Sequence, residues 1–291
     1  MEPKISEPSE TKVYEVGKLL PNILFDDYRK AAGINSHGLM DILRSPAHYF
    51  ERRYNQKDEK ESDALTFGRL LHFAILEPEH FQKHKAIQPP CDRRTIDGKR
   101  TWSEFQATLS PDSIVVPDKF LDQLTRMSER ILTHKITRGL FSKGLRETTL
   151  FWNDVQTGEL CKARPDFISE KGYIVDLKTS RDARTESFSR DILKYGYHIQ
   201  ASHYCQGAET TRVCLPKFIF VVIEKESPYE IKVMPAGVSV MGVGDQWRAK
   251  AMRTYAKCKK ENKWPGYDHR AETVELPPYA EAVDPDNDDS E

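Results

Sequence analysis

No apolar run in this sequence approaches the roughly 18–20 residues that a membrane-spanning helix needs, so no membrane partner is expected. Cysteine is sparse and unpaired in pattern. Cys91, Cys161, Cys205, Cys214 and Cys258 are odd in number, widely spaced and free of any CxxC. That argues against a zinc ribbon, a disulfide framework and an iron–sulfur cluster, leaving small buried or half-buried thiols. Internal repeats and long low-complexity linkers are missing too. So is an excess of either charge: 44 Lys and Arg face 45 Asp and Glu, for a net charge of −1. Such a balance does not announce nucleic acid by itself. The opening MEPKISEPSETK lacks the apolar stretch of a signal peptide, which points to a cytoplasmic protein.

What is present is an ordinary globular mixture, 38% hydrophobic and 31% charged over 291 residues. Residues 1–20 read as a flexible arm, 21–270 as one domain and 271–291 as an acidic, disordered tail. The last eleven residues, EAVDPDNDDSE, hold six acids and no base; removing them leaves +5 on the first 280.

The residue pattern places Ser36 as the cap of a helix through GLMDILRSPAHYFERRY, with Pro46 as a break. A second, densely apolar helix runs through ESDALTFGRLLHFAIL to a stop at Pro78. Residues 86–101 read as an irregular charged loop, and Asp118 to Phe141 as one or two amphipathic helices. Three β-like runs follow: RETTLFWND, LCKARPDFIS and GYIVDLKTS. Then come a helix through SFSRDILKYGYHIQASHYCQGAE, strands KFIFVVIEK and YEIKVMPA, and a closing helix. This order predicts an α/β fold: a central mixed β-sheet flanked by helices, with an N-terminal helical portion.

Two aspartates sit where strands should be apolar. Asp166 follows Pro165, and Asp176 follows Ile174 and Val175. Side chains alternate along a strand, so Asp176 and Lys178 share a face. A hairpin turning at residues 169–172 brings Asp166 and Asp176 to the same end of the sheet. An exposed hairpin with one salt bridge is the plain alternative, but the apolar lead into Asp-Leu-Lys-Thr disfavours it. Two carboxylates held close repel unless a cation lies between them, and oxygen-rich sites suit Mg²⁺ or Mn²⁺.

The pattern Pro165-Asp166 … Asp176-Leu177-Lys178 resembles the PD-(D/E)XK nuclease signature. Gln200 and Tyr204, spaced i, i+4, resemble the Gln-xxx-Tyr motif of its RecB-like branch, and Gly68 with His72 resembles that branch's Gly-xxx-His element. With SPAHY at 45–49 and WPGY at 264–267, the ordered set resembles the nuclease domain of exodeoxyribonuclease VIII, the RecE type.

The resemblance implies a nuclease core over 21–270 and a processive 5′→3′ exodeoxyribonuclease acting on ends of linear double-stranded DNA. It would hydrolyse phosphodiester bonds and leave 3′ single strands for recombination through a single-strand annealing protein. It implies Mg²⁺, with Mn²⁺ as substitute, held by His72, Asp166, Asp176 and the Leu177 carbonyl. Lys178 would position the attacking water, and Gln200 and Tyr204 would contact the DNA backbone or orient the lysine. Glu147 would sit at the site edge. Arg69, Arg93, Arg94 and Arg100 are the candidate phosphate contacts. A homo-oligomeric ring, tetramer or trimer, would encircle the DNA, in a cytoplasmic protein of bacterial, phage or prophage origin. The alternatives are an endonuclease of restriction or repair type in the same superfamily and a catalytically inactive DNA-binding recombination module.

Overall fold

The computed structural model describes residues 14–21, 23–55, 62–211, 216–268 and 270–275. The chain enters on β1 (Leu19–Leu20), α1 (Phe25–Lys30), α2 (Ser36–Arg44) and α3 (Pro46–Phe50), the last running into a π turn. Helices α4 (Asp63–Leu76) and α5 (Pro78–His84) follow, then β2 (Lys85–Gln88), α6 (Ile96–Ala107), β3 (Ile114–Pro117), α7 (Leu121–Thr133) and α8 (Lys135–Leu140). The strand-rich part comprises β4 (Gly144–Arg146), β5 (Thr149–Asn153), β6 (Leu160–Ala163), β7 (Phe167–Ser169) and β8 (Tyr173–Ser180). Helices α9 (Thr185–Lys194) and α10 (Tyr197–Thr210), strands β9 (Lys217–Glu224) and β10 (Ile231–Pro235), and α11 (Val238–Glu261) complete it.

The architecture is the expected α/β one. A five-stranded sheet runs β10-β9-β8-β7-β4, mixed because β8 and β9 pair in parallel while the other neighbours are antiparallel. Alternation along β8 and β9 feeds two cores. Ile174, Phe218, Phe220 and Val222 pack among residues of α2, α9, α10 and α11. Val175, Leu177, Val221 and Ile223 pack among residues of α4 and α7. Helix α10 is buried on nearly every side, which explains why its sequence shows no single apolar stripe.

Several boundaries differ from the expected ones. The runs RETTLFWND and LCKARPDFIS are each broken in two. Strand β5 pairs with β1 on one side and β6 on the other in a separate three-stranded sheet, whereas β4 and β7 belong to the five-stranded one. The breaks fall at Glu147–Thr148 and Arg164–Asp166; Glu147 has φ +46 and Pro165 has no N–H to give a ladder. Asn35, not Ser36, caps α2, because its side chain accepts the Gly38 N–H at 2.9 Å. Pro78 starts α5, with only Glu77 between it and the end of α4. The loop expected over 86–101 holds most of β2 and the start of α6. The long helix expected over 187–209 bends into α9 and α10 at left-handed Gly196.

The arm expected over 1–20 is ordered at its end. Tyr14 stacks on Phe151 with centroids 5.0 Å apart, and Leu19–Leu20 pair with β5. Its beginning, Cys214 and most of the acidic tail lie outside the described residues. The SPAHY and WPGY segments meet: the Ala47 N–H donates to the Pro265 carbonyl at 3.1 Å, and Tyr49 stacks on Trp264 at 5.4 Å. Among the described residues no helix is long and apolar enough to cross a membrane.

Close helix packing depends on glycine. A Cβ on Gly244 of α11 would lie 2.2 Å from the His198 carbonyl oxygen of α10. Gly244→Ala is expected to cost roughly 1–3 kcal/mol in urea unfolding despite alanine's better helix propensity. An unchanged unfolding midpoint would contradict this packing.

Candidate active site

The site lies where the two broken runs leave the five-stranded sheet. Extending the Phe167↔Val175 register by one residue puts Asp166 opposite Asp176. On the other side, the Glu147 N–H donates to the Asp166 carbonyl at 3.0 Å, continuing the β4–β7 register. Three carboxylate residues, Glu147, Asp166 and Asp176, therefore stand abreast on adjacent strands.

Each is held by groups from a different layer. Asp166 Oδ2 accepts the Leu177 N–H at 2.7 Å, and its Oδ1 lies 3.4 Å from His72 Nδ1 on α4. Asp176, 1% exposed, meets Lys178 Nζ at 2.5 Å through Oδ2. Its Oδ1 accepts from Gln200 Nε2 at 3.1 Å, and the same nitrogen lies 3.1 Å from the Tyr204 hydroxyl. Glu147 Oε2 accepts from Arg164 Nε at 2.8 Å. Arg164 is itself fixed by the Ile23 carbonyl at 2.6 Å and the Thr149 hydroxyl at 3.1 Å.

The electrostatics show three acids held close together and desolvated, each facing one basic partner. Burial pushes Asp166 up, but His72, Lys178 and the Leu177 amide outweigh it and hold it below the usual carboxylate range. Burial and the neighbouring Asp166 raise Asp176 to about 6 against the pull of Lys178. Burial and Asp166 likewise raise Glu147 to about 7, opposed by His72 and Arg164. Burial would lower His72, yet Asp166 and Glu147 carry it up to about 9. Lys178 is desolvated, but Asp176 and Asp166 raise it, so it stays an ammonium. A divalent cation would relieve this arrangement by favouring the ionised carboxylates.

One ligand atom each from His72, Glu147 and Asp166 lie within 4.8 Å of one another, a candidate divalent-metal site. Glu147, expected only at the site edge, is thus inside the cluster. The expected Asp176 stands beside it, its oxygens engaged by Lys178 and Gln200. The Leu177 carbonyl was expected as a ligand; the contact found at that residue is through its amide. Gln200 and Tyr204 were expected to contact the DNA backbone or orient the lysine; Gln200 and Lys178 meet at the same Asp176 carboxylate. Gln200 and Tyr204 are both 7% exposed and turn inward toward Asp176, because α10 is buried on nearly every side.

Of the four arginines expected at phosphate, Arg69 is exposed on α4, three residues before His72. The others lie on the connection between β2 and β3. Arg93 stacks 4.6 Å over the Trp102 ring, Arg94 pairs with Asp92 at 2.9 Å and Arg100 with Asp97 at 3.2 Å. Two residues escaped the sequence reading. Arg164 lies two positions before Asp166, and Tyr197, whose ring lies 4.5 Å from Lys178 Nζ, lies three before Gln200. Same-face spacing from the motif residues was the available signal for both.

The mixed sheet, its flanking helices and the Asp166, Asp176 and Lys178 constellation define a PD-(D/E)XK-like domain. The chain belongs to the family described as PDDEXK-like domain of unknown function (DUF3799), whose model matches residues 36–277. The fold is also similar to a crystal structure of a candidate exonuclease from Eubacterium rectale. The TM-score is 0.59 at 12% identity, over 88% of this chain and 96% of that one. No curated protein matches the chain.

Glu147→Gln gives a signed test. An acid whose folded pKa is raised binds more protons folded than unfolded between its two pKa values, so it costs stability as pH rises through that window. Measured by urea unfolding with chelator, Glu147→Gln should gain on the order of 2 kcal/mol relative to wild type between pH 4.5 and 7. The same variant should bind Mn²⁺ more weakly by calorimetry. A flat difference across that window would remove Glu147 from the cluster.

Proposed function

We propose that this chain is a metal-dependent exodeoxyribonuclease that hydrolyses phosphodiester bonds from the ends of linear double-stranded DNA. The observation that carries the reading is the convergence of Glu147, Asp166 and Asp176 with His72 and Lys178 at one end of the sheet. Structural likeness to a protein described as a candidate exonuclease supports the choice within nucleases. Mg²⁺, with Mn²⁺ as substitute, suits the hard carboxylate oxygens, and His72 suits Mn²⁺ better than Mg²⁺.

Glu147, Asp166 and His72 would hold the cation, His72 after releasing to solvent the proton that Asp166 and Glu147 otherwise keep on it, with Asp176 adjacent. Bound there, it supplies Lewis-acid stabilisation of phosphate charge and a more acidic water. Lys178 remains protonated, so its Nζ donates a hydrogen bond and positive charge to the attacking water or a phosphate oxygen; it does not accept the proton. Gln200, fixed by Tyr204, holds Asp176 and so sets the direction of Lys178. Arg164 holds the Glu147 carboxylate toward His72 and Asp166. Electrostatic preorganisation of this kind usually supplies the largest single share of catalysis.

In the finer reading, digestion runs 5′→3′ and processively and leaves 3′ single strands for a single-strand annealing protein. Arg69, Arg93, Arg94 and Arg100 would guide the backbone, and a homo-oligomeric ring would replace affinity by enclosure. Bacterial cytoplasm and a phage or prophage origin belong to the same reading.

Lys178→Ala and Asp176→Asn should each lower digestion of linear duplex DNA by about 100-fold or more while circular dichroism stays native. Wild-type protein should spare closed circular duplex. Cleavage of closed circles would turn the assignment to an endonuclease, and earlier release of 3′ than 5′ label would reverse the polarity.

Gly68 supplies an independent check. A Cβ there would meet nothing within 4 Å, although it faces the same side of α4 as His72. Glycine inside a helix costs about 1 kcal/mol against alanine, so packing within the chain does not account for it. Gly68→Ala should therefore raise Tm by a few degrees and raise KM for DNA. An unchanged KM would mean that the substrate does not approach α4 closely.

A further inference from the structure

Beside the lysine of the site, the fold sets two tyrosines side by side, Tyr197 packed against the core and Tyr195 outside it. Helix α9 ends at Lys194 and α10 begins at Tyr197. Between them Gly196 adopts φ +69, and a Cβ at that position would lie 2.2 Å from Met40 Sδ. Only glycine makes this turn without strain, and the turn is what brings Tyr195 and Tyr197 together. Their ring centroids are 5.6 Å apart, with the planes 33° from parallel.

The two rings have different surroundings. Tyr197 is half-buried, with the Lys178 ammonium 4.5 Å from its centroid and Phe188 and Phe220 at 6.0 and 6.4 Å. It is therefore fixed at the edge of the catalytic centre. Tyr195 is 48% exposed. Its ring contacts among the described residues are Tyr197 and the Lys194 ammonium, 5.2 Å from its centroid. An aromatic step thus leads from Lys178 out to solvent, with a lysine at each end.

We propose that Tyr195 and Tyr197 form a stacking step for an unpaired nucleobase adjacent to the scissile phosphate. This inference rests on the nuclease reading of the site. Aromatic faces accept any base, and lysines at both ends suit the flanking phosphates, so the step serves a single strand without sequence preference. The substrate reaching Lys178 is then one strand of a duplex end whose terminal pairs are open.

The test uses the full chain with Ca²⁺ in place of Mg²⁺, and a single-stranded oligonucleotide carrying 2-aminopurine next to its 5′ phosphate. Wild-type protein should quench the 2-aminopurine fluorescence on binding. Tyr195→Ala should lose the quench and bind the strand about 10-fold more weakly, a typical loss for one stacked base. Tyr195→Phe should retain both, since stacking needs the ring and not the hydroxyl. In Mg²⁺, Tyr195→Ala should lose more rate on blunt duplex than on duplex with three mismatched terminal pairs. Because Tyr195 is exposed, circular dichroism should be native for both variants. If wild type digests DNA but Tyr195→Ala quenches and binds like wild type, or Tyr195→Phe behaves like alanine, the step is overturned and the nuclease reading stands. If wild type digests no DNA in Mg²⁺ or Mn²⁺, the nuclease reading falls and the step falls with it.

Discussion

Three carboxylates on neighbouring strands, buried together against His72, Lys178 and Arg164, are the constraint on which the rest of the structure depends. Like charges about 4 Å apart repel by about 4 kcal/mol at the effective dielectric near a protein surface. Glu147, Asp166 and Asp176 are brought together by register, not by attraction. Each compensating group comes from a separate part of the fold: His72 from α4, Lys178 from β8 itself and Arg164 from the break after β6. The helix layers on both faces of the sheet thus converge on one point. Burial and the neighbouring Asp166 nonetheless hold Asp176 and Glu147 above the usual carboxylate range. A divalent cation would favour the ionised form of both.

The same point explains why the sheet is split. Two long runs cross from the three-stranded sheet to the five-stranded one, and both change sheets beside the carboxylates. A continuous ladder there would direct the backbone polar groups into pairing and close the space. Pro165 and the left-handed Glu147 interrupt it. Glycine in helices serves opposite ends around this opening. Gly244 and Gly207 admit neighbouring groups closer than a Cβ allows, so that α10 can be buried. Gly68 faces open space on the side of α4 that carries His72.

Much of this was legible in the chain, for reasons specific to particular residues. Asp166 and Asp176 stood out because a charge in an apolar strand is expensive, and Lys178 followed from the two-residue period. Gln200 and Tyr204 were visible as an i, i+4 pair, but their inward direction was not. Spacing says which residues share a face, and only the packing of α10 says that this face is buried. Glu147 looked peripheral because it lies between two short strands in a run that reads as one. Its place beside Asp166 comes from pairing between β4 and β7, about twenty residues apart in sequence. Tyr197 was hidden by an apparently continuous helix that breaks at Gly196.

By itself, then, the sequence determined the α/β order, the hairpin that carries the paired aspartates and the identity of most groups around them. These depend on local period, turn residues and the cost of burying charge, all of which act within a few residues. Tertiary structure decided which carboxylate joins His72, which way Gln200 and Tyr204 point, where the long runs change sheets and that an aromatic step stands beside Lys178. Those outcomes depend on distances between elements far apart in the chain, and no local preference encodes them.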